Sequence, residues 1–186
     1  MHTRDWRLLS LGLMTAALMV GLVVVHPPKA NAGAYYGEYT LTAKHSNKCL
    51  DVAWFSTVDG GDIVQSWCSG AANQTWQLHL IANHYFMLIS KHSGKCMDVS
   101  NGSLQHAADV VQWSCNGSDS QLWNPIYIKT ENGIPYYILE NKRSWKCLDV
   151  AWFSLADGGN VLQANCTATD NQLWDLSDLT YGTHGL

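Results

Sequence analysis

Lys48-Cys49-Leu50-Asp51-Val52 recurs as Lys95-Cys96-Met97-Asp98-Val99 and again as Lys146-Cys147-Leu148-Asp149-Val150. Each copy has an aromatic residue ten positions before its cysteine, Tyr39, Phe86 or Tyr137, and a leucine eight positions before it, Leu41, Leu88 or Leu139. These positions share parity, so they lie on one face of a strand. A second cysteine follows each first one after 19 residues, giving Cys68, Cys115 and Cys166. The units close on Asn73-Gln74-Thr75-Trp76, Ser120-Gln121-Leu122-Trp123 and Asn171-Gln172-Leu173-Trp174. Successive first cysteines are 47 and 51 residues apart. The chain is therefore read as three copies of one unit, at about residues 36–80, 81–128 and 129–178.

Between these landmarks run short alternating apolar stretches and turns such as Asp59-Gly60-Gly61 and Asp157-Gly158-Gly159, with no sustained helical period. The reading is all-β. A strand pair cannot bury its apolar face alone, whereas three copies can close around a shared axis and leave no open edge. The recurring Trp76, Trp123 and Trp174 are expected in the common core. The equal cysteine spacings favour three equivalent bridges, Cys49–Cys68, Cys96–Cys115 and Cys147–Cys166, over any other connectivity. Each bridge closes a loop that stabilises the fold by about 3 kcal/mol in the chain-entropy model.

The first residues set the expected compartment. Arg4 and Arg7 precede an apolar run from Leu8 to Val25, followed by Pro27-Pro28 and the small residues of Ala30-Asn31-Ala32. This is the layout of a signal peptide, residues 1–32, cleaved after Ala32 rather than kept as a membrane anchor. The expectation is a secreted protein of residues 33–186, a length that suits one domain. Arg4, Arg7, Lys29 and Asp5 leave with the leader, so the 11 basic and 15 acidic residues become 8 and 14, a balance of −6. A chain so charged has no basic face for nucleic acid. No cofactor is expected. Asp59 and Asp62 read as part of a turn rather than as metal ligands, so no metal is expected either.

The cysteine-leucine-aspartate-valine start, the Asp-Gly turn and the glutamine-x-tryptophan ending, three times over, resemble the ricin-B-type lectins and family-13 carbohydrate-binding modules. The likeness covers roughly residues 36–177. It implies a β-trefoil of twelve strands with pseudo-threefold symmetry and one disulfide per repeat. It also implies a non-catalytic lectin that binds glycans or polysaccharides of galactose, mannose or xylan type.

Holding a neutral sugar requires fixed hydrogen-bonding groups for the hydroxyls and a flat apolar surface for the C–H face of the ring. In the family one repeat supplies both, from its aspartate, an aromatic before the second cysteine and the closing Asn-Gln. Carried over to the first repeat, these are Asp51, Asn73 and Gln74, with Gln65 and Trp67 nearby. Ser66 stands where the ring is expected, and strand alternation turns Trp67 to the other face. The second repeat has Asp98, Trp113 and Gln121, but Ser120 replaces the asparagine. The third has Asp149, Asn171 and Gln172, while Ala164 and Asn165 stand where a ring is expected. Trp54-Phe55 and Trp152-Phe153, absent from the second repeat, either line sugar sites or cover the barrel from outside.

An enzyme needs a converging constellation, such as two carboxylates about 5–10 Å apart for glycoside hydrolysis. Threefold geometry places Asp51, Asp98 and Asp149 on separate lobes. His45 and His92 are repeat equivalents within one kind of turn and read as surface residues. Two alternatives stay open: a protein-binding trefoil of inhibitor or signalling type, and the binding subunit of a separate glycoside hydrolase or toxin chain.

Overall fold

A computed structural model of the protein describes residues 33–178 and 183–186. The expected leader and its cleavage site lie outside the described residues. Each repeat forms four strands. The first holds β1 (Ala34–Ala43), β2 (Lys48–Val52), β3 (Gly61–Ser66) and β4 (Trp76–Ala82). The second holds β5 (Tyr85–Ser90), β6 (Cys96–Val99), β7 (Ala108–Trp113) and β8 (Trp123–Glu131). The third holds β9 (Ile134–Asn141), β10 (Cys147–Val150), β11 (Gly159–Ala164) and β12 (Trp174–Asp178). A short β13 (Thr183–His184) adds to β12. Among the described residues, helix is confined to single 3-10 turns.

The first and last strands of each repeat build a closed barrel. β1 pairs with β4, β4 with β5, β5 with β8, β8 with β9, β9 with β12, and β12 returns to β1. Closure removes the open edges that a three-repeat chain would otherwise present. The hairpins β2–β3, β6–β7 and β10–β11 cap one end, joined to one another through β3–β7, β7–β11 and β11–β3. The β-trefoil is thus the observed fold.

The parity read from the sequence is met: Tyr39, Leu41, Phe86, Leu88, Tyr137 and Leu139 all face the core. In each repeat the first-strand aromatic lies opposite the closing tryptophan, as Tyr39 with Trp76, Phe86 with Trp123 and Tyr137 with Trp174. The three tryptophans are fully buried. Each Nε1–H donates to a carbonyl of its own repeat, Leu50 O at 3.1 Å, Met97 O at 3.2 Å and Leu148 O at 3.3 Å, so no polar atom of the indole is left unpaired. The bridges are Cys49–Cys68, Cys96–Cys115 and Cys147–Cys166, each across 19 residues.

Neighbouring repeats are tied through the turns that follow β2, β6 and β10. His45 Nε2 donates to Ser154 O and His92 Nε2 to Phe55 O, each at 2.9 Å, and Arg143 Nε donates to Gly102 O. Carbonyls only accept, so Nε2 carries the proton in both histidines. Each repeat thereby grips the turn of the repeat before it, which fixes the loops around the candidate sites.

Candidate carbohydrate site

Asp51, Asp98 and Asp149 each sit at the floor of a shallow pocket outside the cap, one per repeat. In the first repeat Asn73 Nδ2 donates to Asp51 Oδ1 at 2.9 Å and Gln74 Nε2 to Asp51 Oδ2 at 2.7 Å. The third repeat repeats this with Asn171 and Gln172 on Asp149, at 2.9 and 2.8 Å. In the second, Gln121 Nε2 donates to Asp98 Oδ2 at 2.8 Å, while Ser120 stays near enough to favour the carboxylate but spends its hydroxyl on Ser118 Oγ at 2.9 Å. Asp98 Oδ1 is left buried without a partner, and so is Asn73 Oδ1. Asn171 Oδ1, by contrast, accepts from Thr169 Oγ1, where the first repeat has Ala71. Burial pushes all three aspartate carboxyls above the usual range, partly opposed by the polar side chains around them.

Several sequence-predicted residues have other work. Gln65 is wholly buried, and its Nε2 donates to Ser154 O and to Ala156 O at 3.1 Å while its Oε1 accepts from Ser46 Oγ at 2.7 Å. With every polar atom engaged, it ties the first repeat to the third. Gln112 and Gln163 do the same at the other two seams. Gln74, Gln121 and Gln172 each reach the aspartate of their own repeat. Each is buried, with its amide nitrogen shared between the aspartate and a backbone carbonyl and its Oε1 accepting a backbone N–H. Their work is to fix the carboxylate.

Trp67 is exposed but is absent from the pocket walls, which take the alternate residues Asp62, Val64 and Ser66 of β3. Trp113 does line the second pocket, facing Asp98 across a space of about 180 Å³ with Asn101, Asn116, Ser118 and Ser120. Trp54 lines the first pocket, about 470 Å³, and Trp152 with Phe153 the third, about 220 Å³.

The backbone under these rings is unusual. Trp54 and Phe55 have φ of 57° and 53°, and Trp152 and Phe153 have 57° and 52°. The second repeat places Asn101-Gly102 there, residues suited to left-handed backbone. A bulky side chain in that conformation costs about 1–3 kcal/mol. Packing explains the phenylalanines, since Phe55 stands edge-on to His92 at 5.2 Å and Phe153 to His45 at 5.9 Å. It does not explain the tryptophans, which are 96% and 94% exposed.

Sequence reasoning missed the residues that the preceding repeat contributes. Asp157 and Gly158 of the third repeat wall the first pocket, and His106 and Ala107 of the second wall the third. The signal was present as the equivalent positions 59, 106 and 157, but not its destination. Asp59 and Asp157 are held by Lys95 and Lys48 at 2.6 Å, which draw both carboxyls below the usual range. The first pocket therefore has three carboxylates, Asp51, Asp62 and Asp157, whereas the third pairs Asp149 with an imidazole.

The family model described as ricin-type beta-trefoil lectin domain-like matches residues 29–113, 72–163 and 126–186. The designed threefold-symmetric protein ThreeFoil is 42% identical with a TM-score of 0.73, over 77% of this chain and all of that one. An exo-beta-1,3-galactanase from Clostridium thermocellum is 30% identical with a TM-score of 0.70, over 75% of this chain but 30% of that chain. The Rhizoctonia solani agglutinin shares the fold at 23% identity, with a TM-score of 0.67 over 76% of this chain and 94% of that one. No curated protein matches significantly. With the closed barrel and an amide-held aspartate in every repeat, the family match shows that this chain belongs to the ricin-type β-trefoil lectin domain family.

Proposed function

We propose that the protein is an exported, non-catalytic lectin that holds neutral glycans or polysaccharides at up to three shallow sites, one for each repeat. The observation that carries this reading is that each repeat sets an amide-held aspartate in a pocket that an exposed tryptophan also lines: Asp51 with Trp54, Asp98 with Trp113 from a different position of the repeat, and Asp149 with Trp152. The carboxylate accepts sugar hydroxyls and the indole stacks on the C–H face of the ring. The three aspartates line separate pockets, so they do not pair for acid–base hydrolysis. Each open site binds weakly alone, and a polymer engaging several gains by avidity. The galactanase likeness makes galactose-containing polymers the first ligands to try. It also supports a second reading, in which the chain serves as the binding subunit of a separate hydrolase.

A broad glycan and polysaccharide array, probed with oxidised protein and with the triple variant Asp51→Ala, Asp98→Ala, Asp149→Ala, tests the proposal. Selective binding is expected, weakened about tenfold or more for each carboxylate lost. Silence of the oxidised parent across the array overturns the lectin reading and directs the search to protein partners.

Acidification separates binding from folding. A protonated carboxyl donates where a carboxylate accepted, so affinity falls as Asp51, Asp98 and Asp149 take up protons. That happens above the usual carboxylate range, because burial raises all three. Proton uptake at a group whose folded pKa is raised favours the folded state, so these residues do not themselves drive acid unfolding. The exposed Asp59 and Asp157, drawn down by their lysines, release their seam pairs only at lower pH. Titrating polymer affinity and circular dichroism together from neutral pH is expected to show binding lost first. Affinity that holds until the dichroism collapses contradicts this role for the carboxylates.

A further inference from the structure

A fourth pocket, about 450 Å³, is walled by Tyr85, Leu104, Asp119, Lys142, Arg143 and Trp145, and it adjoins the second aspartate pocket, whose wall holds Gly102, Ser118 and Ser120. We infer that it is a separate binding site for an anionic sugar residue, one bearing a carboxylate or a sulfate. The inference does not rest on the neutral-sugar reading, because none of its residues belongs to those sites.

Charge is the first argument. The aspartate pockets contain three carboxylates in the first repeat, one in the second, and one beside an imidazole in the third. The fourth pocket contains Lys142 and Arg143 against Asp119, an excess of one positive charge. Lys142 Nζ is held by Asp119 Oδ1 at 2.7 Å and stands 5.5 Å from the centre of the Tyr85 ring. Arg143, the one arginine in residues 33–186, makes no ion pair among the described residues. Its Nε is spent on Gly102 O, which anchors the guanidinium and leaves the two terminal nitrogens for an end-on, bidentate anion.

Broken symmetry is the second argument. The position of Trp145 is left-handed in all three repeats, with φ of 54° at Asn47, 69° at Gly94 and 58° at Trp145. Asn and Gly suit that backbone and Trp does not. Beside it, Arg143 replaces His45 and His92. The third repeat thus combines the guanidinium with an indole that is 66% exposed and has no ring or hydrogen-bonding partner among the described residues except through its backbone. A charged fork next to a free aromatic face is what an acidic sugar ring requires, with the anion on the fork and the C–H face on the indole.

The test follows the Trp145 indole N–H by heteronuclear NMR in the oxidised protein. The probes are tetragalacturonate and a sulfated galactose tetrasaccharide, each beside its neutral counterpart, the methyl ester and the unsulfated sugar. At least one anionic probe is expected to bind about tenfold tighter than its counterpart and to weaken with salt. Response to the uronate alone assigns a carboxylated sugar, and response to the sulfated probe alone a sulfated one. Arg143→Gln is expected to remove the preference. Trp145→Asn, read through the Tyr85 and Leu104 signals, is expected to weaken binding about tenfold, and Asn suits the backbone there, so the variant retains the fold. The triple aspartate variant is expected to keep the anionic probe, which separates this site from the three others. Equal binding of charged and neutral probes, no binding of either anion, or unchanged affinity in Trp145→Asn overturns the proposal.

Discussion

Reducing and alkylating the six cysteines is expected to unfold the protein at about 37 °C. The three bridges close separate loops of equal size, each spanning 19 residues, one per repeat. Loops that do not overlap restrict the unfolded chain independently, so their contributions of about 3 kcal/mol each sum to about 9 kcal/mol. That is comparable to the whole stability of an ordinary domain, about 5–15 kcal/mol. Position reinforces the loss, because Cys49, Cys96 and Cys147 are buried at the starts of the cap strands, where the added bulk of an alkyl group overfills the packing. Removing one bridge, as in Cys96→Ala with Cys115→Ala, is expected to cost about 3 kcal/mol and leave the fold intact. Near-ultraviolet dichroism and thermal melts of the oxidised, single-bridge and alkylated forms measure both effects. A cooperative melt retained by the alkylated chain shows that the barrel holds itself.

Trp123→Ala is expected to cost about 3–5 kcal/mol, lowering the melting temperature by roughly 10 °C or more for a domain of this size. Trp123 is fully buried, lies opposite Phe86 and donates to Met97 O, so truncation opens a cavity at the barrel axis and orphans a carbonyl. Trp123→Phe keeps most of the volume and is expected to cost less. Trp152→Ala provides the contrast. Its ring is nearly free in solvent and its backbone is strained, so the change in stability is expected within about 0.5 kcal/mol. The same variant should weaken glycan binding at the third site. Calorimetric melts of the three variants decide the matter, and a Trp123→Ala melt within about 2 °C of the parent removes that tryptophan from the core argument.

Much of this fold was legible in the chain. Tyr39 and Leu41, spaced by two ahead of Cys49, disclosed a strand face, and their recurrence at Phe86 and Leu88 and at Tyr137 and Leu139 turned a weak local pattern into a threefold one. The candidate site was legible in part. Asp51, Asn73 and Gln74 do meet, as do Asp149, Asn171 and Gln172, and the parity that turned Trp67 away from the first pocket is the parity of β3. Trp54 and Trp152 could be named but not placed, since an aromatic after a strand covers a barrel as readily as it lines a pocket.

Gln65 and Gln74 show where the sequence runs out. Both are buried glutamines close to Cys68, and nothing local distinguishes them. Gln74 reaches the carboxylate of Asp51, whereas Gln65 is used by Ser154 and Ala156, 89 and 91 residues further along the chain. Likewise Asp157 and His106 complete the pockets of other repeats than their own. The sequence by itself determined the strands, the three bridges and the buried tryptophans, because each follows from periodicity and spacing within one repeat and is stated three times. Only the tertiary structure decided which amide clamps a carboxylate, which turn walls a pocket and which tryptophans face water, because those depend on one repeat packing against the next around a closed barrel.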